Sequence, residues 1–312
     1  MRQRARWPQV ATLAALAFAL GYLAWLGWGL LPQNQVEDRR FSGQRALTWA
    51  QAQCDIGPRP AGSQEAFMTA DLIKKQLQNQ GWEIREQAFD YNSVQLRNIV
   101  GMTGGGDGPV LIIATHYDTR LLSDRDADVE QRVRPTLGAN DGASGVSVLL
   151  ELARALDKAR LEHRVWLVFL DGEANAGLPE WEGALGASEL VNAVKPAGAI
   201  YLNRVGAQGA RFSKSPDATT LFQDQFWEKA RQWGFQARYL NEIGPAFQDA
   251  HTVFLAAGIP TVAIVQTDDP YFRTTEDTCD RLDATTLEAA GVPLEAYLEQ
   301  GDFLTILPAL KE

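Results

Sequence analysis

"VLIIATHYD" (residues 110–118), "GANDGASGVSVLLELARALDKA" (138–159) and "RVWLVFLDGE" (164–173) decide the fold. The first and third are unbroken apolar runs that end in charged groups. Between them lies an amphipathic stretch of helical period, so the order reads strand, loop, helix, strand. Strands that are apolar throughout are buried on both faces, which indicates a mostly parallel sheet covered by helices.

The pattern continues on both sides. Downstream come a helical "ALGASELVNAV" (184–194), a strand "AGAIYLNRVG" (197–206), a helix near 219–233, a strand "IPTVAIV" (259–265) and a terminal helix after Asp283. Upstream, Ser42 caps a helix broken by the prolines of "GPRPAGS", and Ser63 caps a second helix in which Phe67, Ala70, Ile73 and Leu77 recur at helical spacing. Two strands near 82–91 and 94–102 and a turn at "GGGDG" complete the series. The fold class expected is α/β, a three-layer αβα sandwich with a mostly parallel central sheet. No repeat and no shift of composition suggests a second globular domain.

The amino terminus differs from the rest. Arg2, Arg4 and Arg6 are followed by no charge until Glu37. Val10 to Leu31 is almost wholly apolar and would span about 33 Å as a helix, against a hydrocarbon core of about 30 Å. The division expected is a basic cytoplasmic tail at 1–9, a transmembrane anchor at 10–31, a linker at 32–40 and the main domain at 41–312. A cleaved signal peptide is the rival, although its apolar region should be shorter and no A-x-A-like site is evident. Basic flanks stay in the cytosol, which places the main domain outside it, in a periplasmic, lumenal or extracellular space. The net charge of -10 comes from 39 acids against 29 bases and leaves no basic stripe, so nucleic acid is not expected as a partner. Cys54 and Cys279 are the two cysteines; composition alone leaves open a disulfide or two free thiols.

In open α/β sheets ligands bind beyond the carboxyl ends of the strands. Those exits hold "HYDT" (116–119), "GANDGASG" (138–145), "DGEA" (171–174) and "LNRVG" (202–206). Each has a bland reading, an Asp as helix cap or a His satisfied in the core, and their joint placement favours a site.

Together with "HTVFLAAGIP" and "YFRTTEDTCDRLD", these motifs resemble, in order, the zinc exopeptidase family that includes bacterial leucyl-type aminopeptidases and glutaminyl cyclases. The resemblance covers most of residues 41–300 and implies a phosphorylase/hydrolase-like sandwich. It also implies two zinc ions on five ligand positions and a glutamate as general base, because zinc with an open position generates hydroxide near neutral pH. Carried onto this chain, His116 and Asp141 match ligands and Glu173 matches the general base. The three remaining ligand positions fall on Ala174, Asn203 and Arg273. The acid that should directly precede His251 is Ala250. Asp118, Asp171 and His251 are expected around the cleft, and the resemblance brings Cys54 and Cys279 to one rim, where they would form a disulfide.

A methyl, an amide and a permanent cation are not ordinary zinc ligands. Zinc is therefore expected from the family, while this chain would hold it through an incomplete set or carry no cofactor. Arg273 is expected to pair with Asp141 or Glu173 as a counter-charge in place of the metal. The leading functional expectation is a membrane-anchored, extracytosolic pseudoenzyme that binds peptide or protein amino termini or serves in assembly. The alternatives are an active metallo-exopeptidase with one metal or an atypical site, and a glutaminyl-peptide cyclotransferase.

Overall fold

The computed structural model describes residues 40–103 and 108–310, together with Tyr22. Apart from Tyr22, the expected anchor at 10–31 lies outside the described residues, and among these no helix is long and apolar enough to cross a membrane. The compact unit runs from Arg40 to Glu312.

Capping sets the first helices. The Ser42 hydroxyl accepts from Arg45 N at the start of α1 (Gly43–Ile56), and Ser63 accepts from Ala66 N at the start of α2 (Gln64–Asn79). Six strands follow in one sheet: β1 (Glu83–Tyr91), β2 (Val94–Thr103), β3 (Val110–His116), β4 (Arg164–Leu170), β5 (Gly198–Asn203) and β8 (Thr261–Val265), in the spatial order β1-β2-β4-β3-β5-β8. β3 runs parallel to β4 and β5, and β5 parallel to β8, whereas β1 and β2 form an antiparallel edge. The expected parallel sheet is thus its inner part.

Alternate residues of the strands feed two cores. Leu111, Ile113, Leu167, Phe169, Ile200 and Leu202 face α1, α2, α3 (Ser144–Ala155) and α7 (Ala284–Glu299). Ile112, Ala114, Val168, Leu170, Ala199 and Tyr201 face α4 (Leu185–Ala193) and α6 (Ala250–Ala256). β3, β5 and β8 are buried throughout and β4 almost so, and their sequences carry no polar alternation, whereas edge strand β1 is largely exposed. The remaining helices are α5 (Thr220–Gln232) and α8 (Asp302–Ile306); β6 (Phe212–Lys214) and β7 (Tyr239–Ile243) pair in a separate two-stranded sheet. Short α6 and this small sheet were not legible in the sequence, since none has a period long enough to read.

Cys54 and Cys279 are bonded, their Cα atoms 6.4 Å apart across a separation of 225 residues. The bond ties the end of α1 to the segment entering α7. Closing so long a loop restricts the unfolded chain, so the double change Cys54→Ser and Cys279→Ser is expected to lower the unfolding free energy by about 2–4 kcal/mol, read from the urea midpoint.

Gly145 sits where α3 passes over the sheet; a Cβ there would lie 2.0 Å from Thr115 Oγ1 and 3.2 Å from Leu202 O. The first turn of α3 reaches the strand exits only because that position lacks a side chain. Gly145→Ala should therefore cost about 1–3 kcal/mol in thermal or urea unfolding, although alanine is the better helix former.

Candidate functional site

β3, β4 and β5 end side by side, and the loops leaving them enclose a cavity of about 230 Å³. Its lining includes His116, Asp141, Glu173, Ala174, Asn203, Arg204, Asp249, Phe272 and Arg273. Glycine permits two of the turns. Gly142, at φ +116°, follows Asp141 in a single π-type turn (Ala139–Ala143) and passes against the His116 ring, while Gly172, at φ +76°, turns the chain from β4 towards Glu173.

A buried framework holds these loops. Asp277 accepts from Asn140 N at 2.6 Å and Asp141 N at 3.1 Å. Burial, above all, pushes its carboxyl up to about 7. The Asn140 side chain accepts from Gly206 N and Ala207 N and donates to Asp269, which couples the exits of β3, β5 and β8. Behind them Arg59 is completely buried; its guanidinium donates to the carbonyls of Tyr117, Leu137 and Gly138, and burial lowers its pKa to about 10.

The reacting-size groups meet around Asn203. Its Nδ2 donates to Asp141 Oδ1 at 3.0 Å and to Asp249 Oδ2 at 3.0 Å, and its Oδ1 accepts from Arg204 N at 2.8 Å. The amide orientation is settled by this pattern, because only the nitrogen can donate to two carboxylates. Asp249 also accepts from the Tyr201 hydroxyl at 2.6 Å. His116 Nε2 lies 3.4 Å from Asp141 Oδ1, its Nδ1 lies 3.3 Å from Asp118 Oδ1, and Arg204 Nη1 lies 4.0 Å from Asp141 Oδ1.

The electrostatics follow from those contacts. Burial alone would raise the Asp141 pKa, yet His116, Arg204 and the Asn203 amide hold it well below the carboxylate range. Burial opposes the charged form of His116 too, and the two flanking aspartates outweigh it, so its pKa rises well above the usual value. Glu173 is the contrary case: burial first, then the fields of Asp118 and Asp249, raise it well above an ordinary glutamate despite the N–H of Ala187. Its Oε1 accepts from Ala187 N at 2.7 Å in the first turn of α4, and its Oε2 is buried without a partner.

The positions expected from the sequence do converge, with corrections. His116, Asp141, Glu173, Ala174, Asn203 and Arg273 all line the cavity. Asp118, expected behind the ligands or in the cleft, stands behind His116 with Oδ1 3.3 Å from Nδ1, and its two oxygens accept from Glu173 N at 3.2 Å and Ala174 N at 2.9 Å, so it also shapes the turn after β4. Asp171 turns away, accepting from the Tyr117 hydroxyl at 2.8 Å and Arg97 N at 3.0 Å, because the turn at Gly172 breaks the alternation that would put Asp171 and Glu173 on one side. His251 is fully buried between Phe247 and Tyr201, with ring centroids 4.5 and 6.2 Å away, and faces the core instead of the cavity.

Arg273 pairs with neither Asp141 nor Glu173 among the described residues; the cations beside Asp141 are His116 and Arg204. The reason lies in Phe272, whose face takes the guanidinium of Arg204 at 4.0 Å and of Arg273 at 4.8 Å. Asp249, Arg204, Asp277 and Arg59 were not anticipated. The acid sought at Ala250 is supplied one residue earlier, by Asp249 of "QDAH", and this was the available signal.

Zinc does not fit this donor set. The positions that should complete it offer a methyl, an amide whose nitrogen is spent on two carboxylates, and a guanidinium. Asp141 is already neutralised by His116 and Arg204. Among the described residues no group of three or more His, Cys, Asp or Glu is placed to hold a metal ion.

Comparison with known proteins agrees with the architecture. The model of peptidase family M28 matches residues 98–297. The uncharacterized protein YfbL of Escherichia coli is 38% identical over 177 residues, 54% of this chain, and that match spans about half (53%) of the relative's own length. The glutaminyl-peptide cyclotransferase of Bos taurus is 24% identical over 285 residues, 77% of each chain. A crystal structure of a Zn-dependent exopeptidase from Parabacteroides distasonis superposes with a TM-score of 0.77 at 26% identity, covering 83% of this chain and 98% of that one. With the family model matching well over half of its length, this chain belongs to peptidase family M28.

Proposed function

We propose that this protein is a membrane-anchored, extracytosolic member of the family that has lost zinc catalysis and keeps the cavity as a binding site for amino termini of peptides or proteins. The observation that carries the reading is the Asn203 amide between Asp141 and Asp249. A neutral donor stands there in place of an acid, and internal cations replace the metal. Glu173 and Asp249 line the cavity, and an ammonium beside Glu173 would favour the ionised form that burial disfavours. The Cys54–Cys279 bond supports an oxidising compartment and with it the extracytosolic placement.

Metal analysis of the purified full chain tests this directly. The expected result is zinc far below one equivalent and no release of an amino-terminal residue from peptides; stoichiometric zinc with such release would sink the reading. The triple change Ala174→Glu, Asn203→Asp and Arg273→His restores the expected ligand types. It should raise zinc content towards stoichiometry, since the loops that would hold the metal are already in place.

A second reading, surviving hydrolysis or glutaminyl cyclisation, is favoured by one feature: Glu173 retains a buried oxygen without a partner at the general-base position. It predicts turnover of an unblocked peptide or a glutaminyl peptide that falls about 10²–10⁴-fold in Glu173→Gln. The reading proposed first expects no difference between the two proteins in the same assay.

A further inference from the structure

The cavity has a cationic half that amine capture alone leaves unused. Glu173 and Asp249 contribute acid to its lining, Arg204 and Arg273 the opposite charge. Arg204 is committed, with Nε donating to Gln266 O at 2.9 Å and Nη1 near Asp141. Arg273 is not: it forms no ion pair among the described residues, and its Nε is buried without a hydrogen-bond partner. It also shares the Phe272 ring with two like charges, Arg204 at 4.0 Å and Arg125 at 5.0 Å. Burial, above all, and the nearby charges of Arg120 and Arg125 act against its cation, while the fields of Asp141 and Asp124 only partly offset them.

A half-buried guanidinium short of acceptors is costly, and a carboxylate answers it with two parallel hydrogen bonds. Glu173 Oε2 is buried without a partner, and an ammonium beside it would fill that gap and favour the ionised carboxylate that burial disfavours. The volume of about 230 Å³ is smaller than the roughly 300–1,000 Å³ typical of pockets for drug-sized ligands, so both charges would belong to one small unit. The Arg273 backbone, at φ +63°, is held by Arg125 N donating to its carbonyl at 3.1 Å, and Asp126 accepts from Thr275 two residues on. The cation is thus presented from a braced loop.

We propose that the cavity binds an α-amino acid unit as a zwitterion, with the ammonium at Glu173 and Asp249 and a carboxylate at Arg273. The unit is either a free amino acid or the acidic first residue of a peptide. The inference rests on the amine capture proposed above and adds the anion, so that Arg273 serves as a carboxylate receptor at a position where the family resemblance expects an imidazole.

The test is calorimetric titration of the full chain in detergent with L-leucine, L-leucine amide and N-acetyl-L-leucine, and with the peptide amides Glu-Ala-Ala-NH₂ and Gln-Ala-Ala-NH₂. L-Leucine is expected to bind about tenfold or more tighter than its amide and its acetyl derivative, a preference typical of a charge-assisted pair. Arg273→Gln should abolish the preference for acid over amide while leaving amide affinity about unchanged, and Arg273→Lys should restore it only in part, because it keeps charge but loses the fork. An unshifted thermal transition in both variants separates this from misfolding. If leucine fails and the Glu peptide binds better than the Gln peptide, the carboxylate receptor stands and its source is a peptide terminus. Equal affinity for leucine and its amide, with no preference between the peptides, overturns the carboxylate inference and leaves amine capture intact. Equal binding of N-acetyl-leucine and leucine overturns the ammonium half, and amine capture with it; silence from every probe overturns both.

Discussion

Two hydrogen bonds from the Asn203 amide, one to Asp141 and one to Asp249, set the character of the site. Carboxylates at the ends of buried strands repel one another and lose hydration, so something must compensate them. A divalent cation is one solution. In this chain the compensation is a neutral donor shared between two acids, backed by His116 and Arg204 on Asp141. Each partner is fixed by a different element, β3, β5 and the loop leaving β5, so the charge balance also holds the strand exits together.

That balance extends into the scaffold. Arg59 gives its guanidinium to four carbonyls, and Asp277 receives the N–H groups of Asn140 and Asp141. Other buried atoms lack partners too, among them Asp171 Oδ1, Asn175 Nδ2 and both ring nitrogens of His251, but among the described residues with such atoms it is Glu173 and Arg273 that line the cavity. Buried polar atoms are nearly always paired in native proteins, so an unpaired carboxyl oxygen and guanidinium nitrogen around one cavity point outward to a ligand.

The family relationship and the chemistry separate here. The family model matches residues 98–297, whereas Ala174, Asn203 and Arg273 put a methyl, an amide and a guanidinium where the resemblance expects ligands. A scaffold tolerates such exchange because its strands are defined by apolar burial on both faces, which Ala174, Asn203 and Arg273 do not disturb.

Much was legible from sequence. Unbroken apolar runs such as 110–116 and 164–170 could only be buried strands, and the helix caps at Ser42 and Ser63 mark their own positions through local hydrogen bonds. The convergence of His116, Asp141, Glu173, Ala174, Asn203 and Arg273 followed from the strand-exit rule and the order of the motifs. What the sequence could not decide was pairing. Arg204 rather than Arg273 approaches Asp141, Asp249 supplies the acid missing at Ala250, Asp171 turns away, and His251 packs inward. Local pattern and burial are properties of neighbouring residues and are written along the chain. Which charge meets which depends on side-chain direction and on loops brought together from remote positions, and only the tertiary structure contains those.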